Sequence, residues 1–122
     1  MKKYLIFSLV FSLAFLSCKK NELGGKAEIK GQIKHHTKII PNATVYIKFD
    51  AKEFPGSDVS VYNDKVTADA LGNYTIKCYK GDYYLFAVGY DEDVPAPHTV
   101  KGGVPISIRN KELVEAELAV TE

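Results

Sequence analysis

Lys26-Ala27-Glu28-Ile29-Lys30-Gly31-Gln32-Ile33-Lys34 is the stretch that decides the fold. Every second residue (Ala27, Ile29, Gly31, Ile33) is small or apolar, and those between are charged or polar. Side chains of an extended chain alternate between its two faces, so this stretch predicts a strand with one face buried and the other in water. The same period continues towards the C-terminus. Ala43, Val45, Ile47 and Phe49 alternate with Thr44, Tyr46 and Lys48, and Tyr74, Ile76 and Cys78 with Thr75, Lys77 and Tyr79. Val59 and Val61 open a weaker run that reaches towards Val66. Ile106 and Ile108 flank Ser107, and Val114, Ala116, Leu118 and Val120 are set against Glu115 and Glu117. Turn formers separate the runs: Pro41-Asn42, Pro55-Gly56, Leu71-Gly72-Asn73, Lys80-Gly81-Asp82 and Gly102-Gly103. No window has helical spacing. The expected architecture is all-β, a seven-strand antiparallel sandwich of immunoglobulin-like or prealbumin-like type.

The N-terminus follows another logic. Met1-Lys2-Lys3 is a positive start, and Tyr4 to Leu16 is an uncharged, mostly apolar run. As a helix that run would be about 20 Å long, short of the roughly 30 Å of a bilayer core. It reads as an export signal over residues 1–17 rather than a membrane span. Ser17-Cys18 is followed at once by Lys19-Lys20-Asn21-Glu22. The pattern resembles a bacterial lipoprotein signal, with Phe15 where leucine is usual, and its Ser-Cys-Lys-Lys junction is similar to lipoproteins of the Bacteroidetes. An ordinary secretory signal followed by an incidental cysteine is the other reading. What the resemblance implies is acylation of Cys18 (palmitate), with attachment to the outer membrane through that N-terminal lipid. The expected side is the periplasmic one, since Lys19 and Lys20 are basic, with exposure at the cell surface as the other reading. Residues 18–25, with Gly24-Gly25, are read as a short flexible tether, and residues 26–122 as one domain.

Composition excludes several function classes. The chain has 122 residues, 16 of them Lys or Arg and 15 Asp or Glu. Residues 1–17 hold two lysines and no acid, so their removal leaves a formal charge of −1. A near-neutral balance argues against a nucleic-acid partner and against a polybasic membrane-surface protein. Cys18 and Cys78 are the two cysteines. Once the first is acylated no internal disulfide can form, and alternation places Cys78 on the apolar face as an inert thiol. His35, His36 and His98 are the three histidines, and no His-x-x-Glu occurs. Neighbouring His35 and His36 in an extended chain point to opposite sides. Asp91-Glu92-Asp93 supplies fewer oxygens than a calcium loop needs and reads as a solvated loop. No metal, cofactor or catalytic residue is expected.

One strand breaks the alternation. From Tyr83 to Tyr90 both registers are apolar, with Tyr83, Leu85 and Ala87 on one face and Tyr84, Phe86, Val88 and Tyr90 on the other. A two-sheet sandwich normally wets one face of each sheet. Either a loop such as Asp91 to Gly103 folds over the outer side, or Tyr84, Phe86, Val88 and Tyr90 form a surface for a partner.

Four blocks in order then carry a second resemblance: Lys30-Gly31-Gln32-Ile33; Pro41-Asn42-Ala43-Thr44-Val45-Tyr46-Ile47; Thr67-Ala68-Asp69-Ala70-Leu71-Gly72-Asn73-Tyr74-Thr75-Ile76; and Gly81-Asp82-Tyr83-Tyr84-Leu85. Together they resemble the carboxypeptidase regulatory-like domain, a transthyretin-like sandwich, over residues 26–90 with a last strand at 113–120. The blocks read as folding devices. Gly31 leaves space for a backbone or ring, Asp69 can bond the backbone of its own turn, and Gly72 can take positive φ. The expected function is a non-catalytic binding or assembly module that contacts another envelope protein through the face of Tyr84, Phe86 and Val88. A glycan is the alternative partner, with Tyr46, Tyr62, Tyr79, Tyr84 and Tyr90 as stacking candidates. Phe49 to Val66 and Asp91 to Gly103 are longer than the family pattern, so loops 50–58 and 91–103 are where individuality is expected.

Overall fold

A computed structural model describes residues 19–122. Residues 1–17, read from sequence as an export signal, and Cys18 lie outside the described residues. The alternation of Lys26 to Lys34 becomes β1 (Leu23–His35), and β2 (Lys38–Ile39) folds back on its end. Then follow β3 (Thr44–Phe49), β4 (Asp64–Thr67), β5 (Asn73–Cys78), β6 (Gly81–Tyr90), β7 (Thr99–Ile108), β8 (Leu113–Glu115) and β9 (Leu118–Ala119). One sheet is built on β1, which pairs with β5 and β2 along one edge and with β8 and β9 along the other. The second sheet runs β4-β3-β6-β7. The protein is an all-β sandwich, as the two-residue period requires.

The inward residues of both sheets form one core. Ile29, Ile33, Ile40, Val45, Ile47, Leu85 and Leu118 are wholly buried, and each such side chain contributes about 1.5–3 kcal/mol of burial. Cys78 lies among them, and burial pushes its thiol up from the usual range. That is the inert cysteine expected from its place in the alternation.

In its strands and in what covers them the structure differs from the sequence reading at four places. First, Val59–Val61 is a 3-10 turn capped by Asp58, whose side chain accepts from the Ser60 N–H, and the strand begins only at Asp64. Second, β8 and β9 run parallel to β1 rather than antiparallel. The chain leaves β7 at the end where β1 starts, so it enters the first sheet travelling in the direction of β1.

Third, the fold begins earlier than residue 26. The Asn21 N–H donates to the Lys80 carbonyl at 2.8 Å, and the Tyr79 N–H to the Glu22 carbonyl at 2.8 Å. Leu23 and Ala27 both face Cys78 across a register shift. Gly24 (φ +99°) and Gly25, whose Cβ would strike the Cys78 carbonyl, therefore form a bulge and not a tether. Fourth, the outer face of β6 is covered by residues 50–63 and not by Asp91 to Gly103, as described below.

The turn chemistry is as read. The Asp69 carboxylate accepts from the Leu71 and Asn73 N–H groups, each at 2.9 Å, and Gly72 has φ +74°. Gly31 faces the Ala116 carbonyl, with the Tyr74 ring 3.1 Å from where a Cβ would stand. Ala116 sits in the break between β8 and β9, and its carbonyl accepts from the Tyr74 hydroxyl at 2.6 Å.

Candidate functional site

Segment 50–63 leaves β3 at one end of the sandwich, crosses the outer face of the second sheet and returns as β4. It sets two rings on that face. Tyr62 stacks on Phe86 at 5.7 Å between centroids and 16° between planes, and its hydroxyl donates to the Gly56 carbonyl at 2.8 Å. Phe54 lies 5.7 Å from Tyr84 and 5.4 Å from Phe86. Tyr46 completes the layer 5.9 Å from Tyr62. The Lys48 ammonium donates to the Val61 carbonyl at 3.0 Å and the Phe49 N–H to Asn63 Oδ1 at 2.7 Å, which holds the segment down. Burial pushes the Tyr62 phenol up to about 12, with the neighbouring Tyr84 adding to it.

The surface expected from Tyr84, Phe86, Val88 and Tyr90 therefore exists only in part. Tyr84 is 9% exposed and Phe86 3%, so both are a floor rather than a surface. Val88 is half-buried, and Tyr90 is 59% exposed but packs edge-on against His98 at the far end of β6. Phe54 stands over that floor 51% exposed, and Val59 and Val61 of the same segment are exposed as well. Beside it runs an open groove of about 420 Å³, lined by Ser57, Tyr84, Lys101, Gly103, Thr121 and Glu122 among others. Gly103 is required here, because the Tyr84 ring would lie 2.6 Å from its Cβ. Phe54 had a legible signal: a large aromatic set among Lys52-Glu53 and Pro55-Gly56, outside any strand period.

A second cluster occupies the other end of β6. Asp91, read from sequence as part of a solvated acidic loop, is 2% exposed. Its carboxylate takes the Lys38 ammonium at 2.7 Å and His35 Nδ1 at 2.8 Å, and accepts from the Asp93 N–H at 3.0 Å. Lys38 also reaches Asp93 at 2.8 Å. These contacts clip loop 91–98 onto the β1–β2 hairpin. His36 turns through φ +58°, so the two histidine rings lie 4.5 Å apart instead of on opposite sides.

Lys38 holds the Asp91 carboxyl far below the usual carboxylate range, with the Asp93 N–H and His35 adding to it, and Lys38 is raised in turn. A folded-state pKa below the unfolded value of about 3.9 stabilises the fold above that pH, and the gain is lost progressively from about pH 5 downward. The expected result is a smaller drop in urea midpoint between neutral and acid pH for Asp91→Asn than for the wild type. An equal drop in both would show that Asp91 is not part of the acid response.

No family model matches the chain, and no curated protein matches it. Among solved structures the chain is similar to the crystal structure of a DUF3823 family protein from Parabacteroides merdae, at 15% identity and a TM-score of 0.45. The match covers 78% of this chain and 45% of that one, so the chain spans less than half the length of this structural neighbour.

Proposed function

We propose that this chain is a lipoprotein anchored through an acylated Cys18 to the outer membrane, facing the periplasm, and that its sandwich is a non-catalytic module for binding or assembly with another envelope protein. The sandwich is taken as carboxypeptidase regulatory-like, on the four sequence blocks at its turns. One observation carries the binding role: Phe54 stands half in water on a bed of packed rings. Its neighbours are already immobile, so covering it removes apolar surface from water at a small cost in side-chain freedom. Aromatic anchors of this kind are where interface energy concentrates.

A photo-crosslinking amino acid at position 54, in the full-length protein expressed in its own envelope, tests the reading. A discrete protein adduct is expected from position 54 and not from Lys30 on the opposite sheet. Phe54→Ala should weaken the contact by about tenfold or more, the range of a hot-spot anchor, while folding is kept because the ring is half exposed. The groove beside Phe54 favours a glycan as the second reading, since a sugar ring can stack on Phe54 while Lys101, Thr121 and Glu122 meet its hydroxyls. Absence of any protein adduct, with glycan-array binding that Phe54→Ala abolishes, would move the assignment to the sugar. Absence of both would remove the binding role.

A further inference from the structure

The two ends of the sandwich differ in charge, and the chain before Asn21 emerges at one of them. Asn21 is fixed there by its N–H to the Lys80 carbonyl and by its side-chain oxygen, which accepts from the Asp82 N–H at 2.9 Å. From Cys18 to Asn21 is three residue steps, at most about 11 Å of extended chain. A lipid on Cys18 would thus hold this end against the headgroups, where a flexible tether of residues 18–25 would have let the domain tumble.

The same end is basic at its surface. Lys20, Lys80 and Arg109 line an open cleft of about 420 Å³ together with Asn21, Ser107 and Asn110. Lys111 lies on the adjoining turn. Acids are present too. Asp50 and Asp82 belong to the cleft lining, Asp82 lies 4.0 Å from Lys52, Glu22 lies 4.0 Å from Lys19, and Glu112 lies 3.7 Å from Arg109. Among the described residues Lys20, Lys80 and Lys111 form no ion pair. At the opposite end Asp69, Glu92 and Asp93 are exposed with Leu71 and Tyr90, and Lys38 stands beside them, paired with Asp91 and Asp93.

We propose that the end bearing Lys20, Lys80, Arg109 and Lys111 is a docking surface for the anionic headgroups of the anchoring leaflet, which holds the long axis of the sandwich upright. This deepens the lipoprotein reading and rests on it. Basic residues near a membrane draw in acidic lipid over about a Debye length, roughly 8–10 Å, and the reach from Cys18 is of the same order. The acidic end, with Leu71 and Tyr90, then points away from the bilayer.

The test uses the full-length, processed protein, with mass spectrometry of its N-terminal peptide and reconstitution into phosphatidylcholine vesicles containing about one third phosphatidylglycerol. Single fluorophores placed through Lys80→Cys and Leu71→Cys are read against a headgroup-linked quencher; buried Cys78 takes no label. Quenching several-fold stronger at position 80 than at 71 is expected. The ratio should fall in the triple variant K20E/R109E/K111E and in vesicles of phosphatidylcholine alone. Acylated Cys18 with equal quenching at both positions would overturn the docking surface and leave the lipoprotein reading standing. An N-terminal peptide without lipid would overturn both.

Discussion

Tyr83→Ala is expected to cost about 3–5 kcal/mol, the range for emptying a large aromatic site in a packed core. Tyr83 is wholly buried in β6, which pairs with β3 on one side and β7 on the other. Its ring meets Phe49 edge-on at 6.0 Å. The hydroxyl donates to the Tyr79 carbonyl at 2.7 Å and lies 3.0 Å from the Glu22 carbonyl. Burial pushes the phenol well above its usual range, with the Cys78 thiol beside it adding to the effect. Tyr83 therefore joins three parts that sequence keeps apart: the N-terminal entry at Glu22, the β5–β6 corner at Tyr79, and the core. A domain of this size has about 5–15 kcal/mol in all, so the variant should be largely unfolded in mild urea. Tyr83→Phe keeps the ring and should lose only about 0.5–1.5 kcal/mol for the hydrogen bond. Equal losses for the two variants in urea titrations would show that the ring is not what the core depends on.

Period-two patterning made the sandwich legible because an inward face leaves a mark at every second residue. The turns were legible for a different reason: Asp69 and Gly72 each answer a local backbone demand that no other part of the chain supplies. Covering of the β6 outer face was half legible. The double apolar register of Tyr83 to Tyr90 announced that something had to cover it or bind it, but the covering rings, Phe54 and Tyr62, sit in a segment with no period of its own. Sequence alone could not tell which of two long loops would lie there. Asp91 was read as solvated because its partners, His35 and Lys38, are more than fifty residues away, and an acidic triplet carries no sign that one of its members is buried. Glycine marks a bulge and a flexible tether alike, and at Gly24-Gly25 only the hydrogen bonds of Asn21 and Glu22 separate them.

Gly31→Val puts a local preference against a tertiary one. Valine is the better strand former, and by propensity alone the change would favour β1 by up to about 1 kcal/mol. The Cβ would, however, run into the Ala116 carbonyl and crowd the Tyr74 ring. Relief requires the edge formed by β8 and β9 to move off β1. That motion endangers the Ala116 N–H bond to the Lys30 carbonyl at 2.8 Å, the Tyr74 hydroxyl bond to the Ala116 carbonyl at 2.6 Å, and the flanking Val120 N–H bond to the Lys34 carbonyl at 2.9 Å. Overpacking of about 1–3 kcal/mol and a loss of about 0.5–1.5 kcal/mol per hydrogen bond both oppose the propensity gain. The expected net is a destabilisation of about 3 kcal/mol in urea, with amide exchange accelerated at Ala116 and Val120 before Ile29 or Ile76. A stabilised variant, or one whose exchange rises evenly across both sheets, would mean that the glycine answers the bend of β1 itself and not the strand that leans on it.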